Sequence, residues 1–146
     1  MKSPKTTIDR LNQLLSDIVV LGQMTHSAHW NVVGPSFYEF HLFFETLYND
    51  LQDPIDEIAE RIRALHSHPI STLAGFVKKS QLEEIDADTT DPKKLLSFLE
   101  TAYTTLSTML AEYIALEEED AVTQDMYVGY KNTIDKRLWI ITSFSK

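Results

Sequence analysis

From Thr7 to about Val33 apolar residues return every three or four positions: Leu11, Leu14, Leu15, Ile18, Leu21 and Met24. That period belongs to an α-helix with one buried face, and Gly34-Pro35 ends it. Ser36, followed three residues later by Glu39, predicts a capping-box start for a second helix that runs to about Leu65. Asp53-Pro54 interrupts it. Proline there either opens a new helix in its first turn or kinks a continuous one, and we expect the kink, because the polar stripe described below keeps phase across it. His66-Ser67-His68-Pro69 closes this segment, and residues 71–79 hold one or two helical turns. The acidic stretch from Glu83 to Asp91 reads as a polar loop.

Asp91-Pro92 supplies the N-cap and first turn of a third long helix. Its apolar positions Leu95, Leu99, Ala102, Leu106, Met109, Tyr113 and Leu116 keep near-heptad spacing. After Glu117-Glu118-Glu119-Asp120 a fourth helix runs to about Phe144, marked by Tyr127, Tyr130, Ile134, Leu138 and Ile141. Only four glycines and no alternating strand pattern complete an all-α reading. The long connection between the second and third helices lets those two run parallel, as in a ferritin-like four-helix bundle with a short crossover helix.

At 146 residues the chain, 1–146, is expected to be one domain with a short polar tail over residues 1–6. It has no cysteine, so any metal must sit on nitrogen and oxygen ligands, which favours iron, manganese or zinc. No apolar run approaches the length of a membrane span, and the first residues lack the apolar core of a signal peptide. A cytoplasmic location is the expectation. The net charge of −9 argues against free nucleic acid as the main partner and suits attraction of cations.

The second helix carries an unusual set of polar residues. Turning about 100° per residue, His41, Glu45, Asp56 and Glu60 fall at about 0°, 40°, 60° and 100°, on one narrow face. Singly, each has an ordinary explanation. His41 could be a hydrogen-bonded core or interface histidine, and Asp56 and Glu60 could pair with Arg61 or Arg63. Together, among Phe43, Phe44, Leu47 and Leu51, they are not what a plain packing face contains. Nor can they form one site within a chain, because Glu45 and Asp56 lie roughly 16 Å apart along the axis. An antiparallel copy of the helix, related by a two-fold axis near residues 50 and 51, would set His41 opposite Glu60 and Glu45 opposite Asp56. Two-fold dimers use one patch on both subunits, so two identical metal sites at such an interface are the expectation.

The stretch His29 to Phe37, H-W-N-V-V-G-P-S-F, followed by His41 and by D-E-I-A-E-R-I-R-A-L at 56–65, resembles the Dps miniferritins. The likeness extends over nearly the whole chain, through Thr123–Asp125 and Trp139. Ordinary ferritins use a Glu-x-x-His pair, which this sequence lacks. The resemblance implies a twelve-subunit hollow shell that oxidises Fe(II), preferentially with hydrogen peroxide, and stores ferric mineral. The implied ligands are His29, His41 and Glu45 from one subunit with Asp56 and Glu60 from its partner. Glu45 stands where the family commonly has aspartate. Glu60 is the bridging candidate for two irons, and Trp30 a nearby one-electron donor; zinc also suits these ligands. By the same resemblance Asp120 and Asp125 line the pore through which iron enters, although acidic residues at a helix start are also explained by the helix dipole. Trp139 is expected in core or interface packing.

The alternative is a shell that compacts DNA, its metal site vestigial or structural. Members that bind DNA use lysine-rich tails, and here the tail offers Lys2 and Lys5 beside an acidic body. Weak or absent DNA binding is the expectation.

Overall fold

The computed structural model describes residues 6–146, so Lys2 and Lys5 of the tail lie outside the described residues. Five helices follow one another: α1 (Thr7–Asn31), α2 (Phe37–Ala64), α3 (Leu73–Lys79), α4 (Pro92–Leu116) and α5 (Ala121–Ser143). There is no strand among the described residues, and the four long helices form the expected bundle.

Contacts between the helix ends establish their directions. The Val33 amide donates to the Thr90 carbonyl at 3.1 Å, which puts the start of α4 beside the α1–α2 turn. At the opposite end Arg10, near the start of α1, pairs with Glu117 after α4. Arg61, near the end of α2, pairs with Asp120 before α5. Hence α1 and α2 are antiparallel, α4 and α5 are antiparallel, and α2 and α4 run the same way. Residues 65–91 must therefore span the length of the bundle, as the long connection implied.

The core is built from the residues with helical spacing. Leu11, Leu14, Leu15, Ile18 and Leu21 of α1 meet Phe44, Leu47, Leu51, Ile58 and Ile62 of α2 and Leu95, Leu99, Leu106 and Leu110 of α4, all buried. Burying each such side chain is worth about 1.5–3 kcal/mol. From α5 come Tyr127, Ile134 and Ile141, with Tyr130 and Leu138 half-buried. Trp139 is not a core residue; it is 65% exposed on the single chain.

One local expectation needs correction. Ser36 does not form a capping box: it is left-handed, with φ 64° and ψ 25°, and its side chain makes no cap bond. The Phe37 amide instead donates to the Gly34 carbonyl at 3.1 Å. Proline second and a positive φ third is the pattern of a type II turn, and this turn sets the entry to α2. Asp53-Pro54 opens no new helix; α2 continues through Pro54 as one 28-residue element. The Asp91-Pro92 start acts as expected, and Asp120 adds a cap of its own. Asp91 accepts from the Lys94 amide, and Asp120 from the Thr123 amide.

A buried carboxylate ties the crossover down. Asp17, with no exposed surface, accepts hydrogen bonds from Ser80 Oγ at 2.8 Å, the Gln81 amide at 2.9 Å and the Gln81 and Gln13 side-chain amides. A carboxylate is tolerated in a core only when its oxygens are filled in this way.

Candidate metal centre

Short-range geometry brings His29, from the last turn of α1, against His41, from the first part of α2. The two imidazoles stack with centroids 3.8 Å apart and planes 15° from parallel. Each donates its Nδ1–H to the other's backbone carbonyl: His29 to the His41 carbonyl at 2.7 Å, His41 to the His29 carbonyl at 2.8 Å. The His29 carbonyl belongs to the last turn of α1, where carbonyls lack helical partners. A carbonyl only accepts, so both Nδ1 atoms carry a proton, and in the neutral imidazole that arrangement leaves Nε2 as the lone-pair nitrogen. This arrangement orients a metal-binding histidine and fixes its tautomer. His29 is buried and His41 half-buried, so the pair is held rigidly at the surface end of a packed wedge.

One turn along α2, Glu45 is half-buried and accepts a hydrogen bond from the Tyr48 hydroxyl at 3.5 Å. Asp56 and Glu60 lie further along, exposed and one turn apart. A hydrogen bond that protonated Glu60 donates to the Asp56 carboxylate, together with the negative charge of Asp56, pushes the Glu60 carboxyl above its usual range. The neighbouring arginines do not relieve that crowding. Arg61 reaches away to Asp120, at 3.0 and 3.1 Å, and to Thr123 Oγ1 at 3.0 Å. Arg63 turns to the Ser67 carbonyl and the His68 ring. The ordinary reading of Asp56 and Glu60 as partners of these arginines therefore fails. Two like charges face solvent with no cation beside them among the described residues, which suits a cation arriving from outside.

Among the described residues no group of three or more histidine, aspartate or glutamate side chains comes together tightly enough to hold a metal within one chain. The histidine end and the carboxylate end of the stripe stay apart within one chain, in line with the roughly 16 Å estimate along the helix.

Comparison with known proteins places this geometry. The profile of the ferritin-like domain family matches residues 8–145. The DNA protection during starvation protein of Listeria innocua is 32% identical over 143 residues, covering 94% of this chain and 90% of that protein. The chain belongs to the Dps family of ferritin-like proteins. The fold agrees: Dps from Vibrio cholerae O1, described as a member of a broad superfamily of ferritin-like diiron-carboxylate proteins, superposes with a TM-score of 0.90. It is 28% identical, with all of both chains covered. A variant of Listeria innocua Dps superposes with a TM-score of 0.92 at 28% identity, covering 97% of this chain and 95% of that one. In that variant two histidines twelve positions apart are replaced by glycine, the spacing that separates His29 from His41 here.

The remaining polar residues of this Dps chain divide clearly. Asp120 is occupied by the fold: its carboxylate caps α5 through the Thr123 amide and hydroxyl and grips Arg61. Partial burial opposes its ionisation, but the bonds from Thr123 and Arg61 outweigh that and hold it below the ordinary carboxylate range. Asp125 lies just over a turn further along α5 and is exposed. Glu117, grouped by sequence with the solvated start of α5, is instead buried against Arg10. Trp30 is 62% exposed and stacks on His26, with centroids 5.2 Å apart and planes 7° from parallel. Burial and the nearby His29 lower the pKa of His26 from its usual value. Tyr48, which the sequence reading passed over, touches His26, His29 and Glu45; its place three residues after Glu45 was the available signal.

Asp120 also carries a pH dependence. Its folded pKa lies below the unfolded one, so its contribution is present above the unfolded value and is lost as pH falls through the folded value. Below about pH 4 the wild-type chain should therefore lose stability more steeply than Asp120→Asn, measured by chemical denaturation across the acid range. Equal slopes for the two proteins would show that Asp120 is not a stabilising charge.

Proposed function

We propose that the chain is an iron-detoxifying miniferritin that binds Fe(II) as substrate at sites shared between two subunits and oxidises it with hydrogen peroxide. The observation that carries this reading is the reciprocal bonding of His29 and His41, which turns both Nε2 atoms away from the backbone, while Asp56 and Glu60 have no cationic partner among the described residues at the far end of the same stripe. An antiparallel second copy of α2 joins His41 to the partner's carboxylate end and Glu45 to its Asp56 counterpart. Exposed Phe37, Tyr38 and Leu42 around the histidine end supply the apolar surface that such an interface needs.

The donor set fits iron. Imidazole nitrogen and carboxylate oxygen suit Fe(II), and five ligands shared by two metals leave coordination positions for an oxidant. Two irons deliver two electrons to one peroxide, which becomes water without passing through a hydroxyl radical. Glu60, facing solvent and crowded by Asp56, is the candidate bridge. Zinc would occupy the same donors and block the reaction. Closure of the shell at twelve subunits, iron entry past Asp125 and storage of ferric mineral belong to the same reading. Asp120, being taken up by Arg61, serves that entry by shaping the start of α5.

Protection of DNA, the property in the relatives' names, follows here from chemistry at the iron site and not from contact, given the net charge of −9. The test is anaerobic Fe(II) loading followed by stoichiometric peroxide, with ferric absorbance and spin-trapped hydroxyl radical recorded together. Fast oxidation with little trapped radical is expected, and a plasmid in the same solution should stay intact without a mobility shift. Oxidation at the rate of free iron would overturn the reading. A strong shift of the plasmid at physiological salt would favour the DNA-compacting shell.

A further inference from the structure

The polar stripe of α2 reaches beyond the four proposed ligands. Counted from His41 at about 100° per residue, Leu42 and Ala59 fall at about 100° and 0°, and Tyr38 and Arg63 at about 60° and 40°. Because α2 runs unbroken from Phe37 to Ala64, these phases hold along its length. The two-fold that sets His41 opposite Glu60 of the partner subunit also sets Leu42 opposite the partner's Ala59. By the same operation Tyr38 comes opposite the partner's Arg63. Tyr38 is 68% exposed and makes no hydrogen bond or ring contact among the described residues. Arg63 is exposed too; its Nη1 donates to the Ser67 carbonyl at 2.9 Å and to the His68 ring at 3.3 Å. Those bonds use the edge of the guanidinium. Stacking on an aromatic ring uses its face.

We propose that Arg63 stacks on the partner subunit's Tyr38 at each end of the α2 interface and so sets the register in which the two half-sites meet. The inference rests on the antiparallel pairing of α2 in the reading above. Both residues act on the site through the register and are positioning residues, not ligands. Register matters because a slip of one turn breaks the ligand set. In one direction it sets Glu60 against the partner's Phe37 and carries Arg63 past the start of the partner's α2. In the other it sets Glu45 against the partner's Glu60 and Arg63 against the partner's Leu42. Of the three registers, the one that completes the iron ligands is the one that gives Arg63 a ring and Leu42 a small residue to pack on. Specific polar and charged contacts are a common means by which paired helices select one register and reject its neighbours.

The chain has no cysteine, so cysteines placed by Leu42→Cys and Ala59→Cys report on register without background. Within one chain these positions lie roughly 25 Å apart along the axis, beyond a short linker, so any 42–59 link joins two subunits. The metal-free assembled protein is treated with a short thiol cross-linker, and the linked peptides are identified by mass spectrometry. A 42–59 link is expected. Tyr38→Arg or Arg63→Tyr should each lower its yield about 10-fold, and the double swap should restore it, because the ring and the cation then face each other again with places exchanged. The swap returns none of the bonds from Arg63 to Ser67 and His68, so rescue reads only the contact across the interface. Peroxide-driven iron oxidation in the same variants without the added cysteines should follow the link yield. Single variants that link like the parent, or a swap that fails to rescue them, would sink the inference and leave the iron reading standing. Fast iron oxidation with no 42–59 link in the parent would overturn the antiparallel pairing and the inference with it. A normal link with oxidation no faster than that of free iron would sink the iron reading and leave the register contact in place.

Discussion

Replacing Asp56 and Glu60 together by alanine should slow peroxide-driven Fe(II) oxidation by at least about 100-fold, the upper end of what loss of a mere supporting group around a metal costs. The pair supplies the carboxylate half of each proposed site, and the histidine half cannot replace it across the length of α2. The fold should not suffer. Both side chains are exposed, neither contributes to the core, and neither forms an ion pair among the described residues. The hydrogen bond to Asp56 and the charge of Asp56 that hold the Glu60 carboxyl upward act at an exposed position, so the metal-free double variant should melt close to the wild-type temperature. Stopped-flow ferric absorbance and light scattering on the same samples check both halves. A variant that falls apart yet oxidises iron normally per remaining site would assign the carboxylates to assembly instead of chemistry.

The second large effect concerns stability. Glu117 and Arg10 form an ion pair at 2.9 Å with side chains only 4% and 8% exposed, and Thr7 Oγ1 also donates to Glu117. Burial opposes the guanidinium charge, and Glu117 more than restores it, leaving Arg10 above its usual pKa. Glu117→Ala removes the carboxylate that offsets the burial of that charge, a loss of up to about 3–5 kcal/mol. For a chain of this size that corresponds to a fall in melting temperature of about 10 °C. Arg10→Ala with Glu117→Ala should lose less than the sum of the two single changes, because the second removes the charge the first had stranded. Simple additivity in calorimetry or urea denaturation would show that the pair is not coupled. Since Glu117 joins the end of α4 to the start of α1, the expected damage is to the end of the bundle remote from His29 and His41.

The wedge of His29 and His41 shows how local order serves the proposed chemistry. Gly34 at φ 108° and Ser36 at φ 64° allow the chain to reverse within a few residues. The reversal lays α2 back along α1 so that two histidines twelve positions apart become stacked neighbours. The orphan carbonyl of a helix end then becomes the acceptor that sets a histidine tautomer. A loosened turn would leave both imidazoles on the chain but would cost the rigid presentation of their Nε2 atoms.

Much of this protein was determined by its sequence alone. The period of three to four in Leu11 to Met24 and in Leu95 to Leu116 can bury one face only as a helix, so four long helices followed. The phase of His41, Glu45, Asp56 and Glu60 follows from the helical turn, and α2 running unbroken through Pro54 preserved it. The tertiary structure decided what depends on groups distant in sequence. Whether Asp56 and Glu60 are free depends on where Arg61 and Arg63 go, and Arg61 goes to Asp120, 59 residues away. Whether Glu117 is a solvated charge or a buried one depends on Arg10, 107 residues away. Tyr48 acquired its meaning only when α1 set His26 and His29 against it. Periodicity reports which face of a helix is buried; it carries no information about which polar partner a neighbouring helix brings to that face, because that is set by packing between elements.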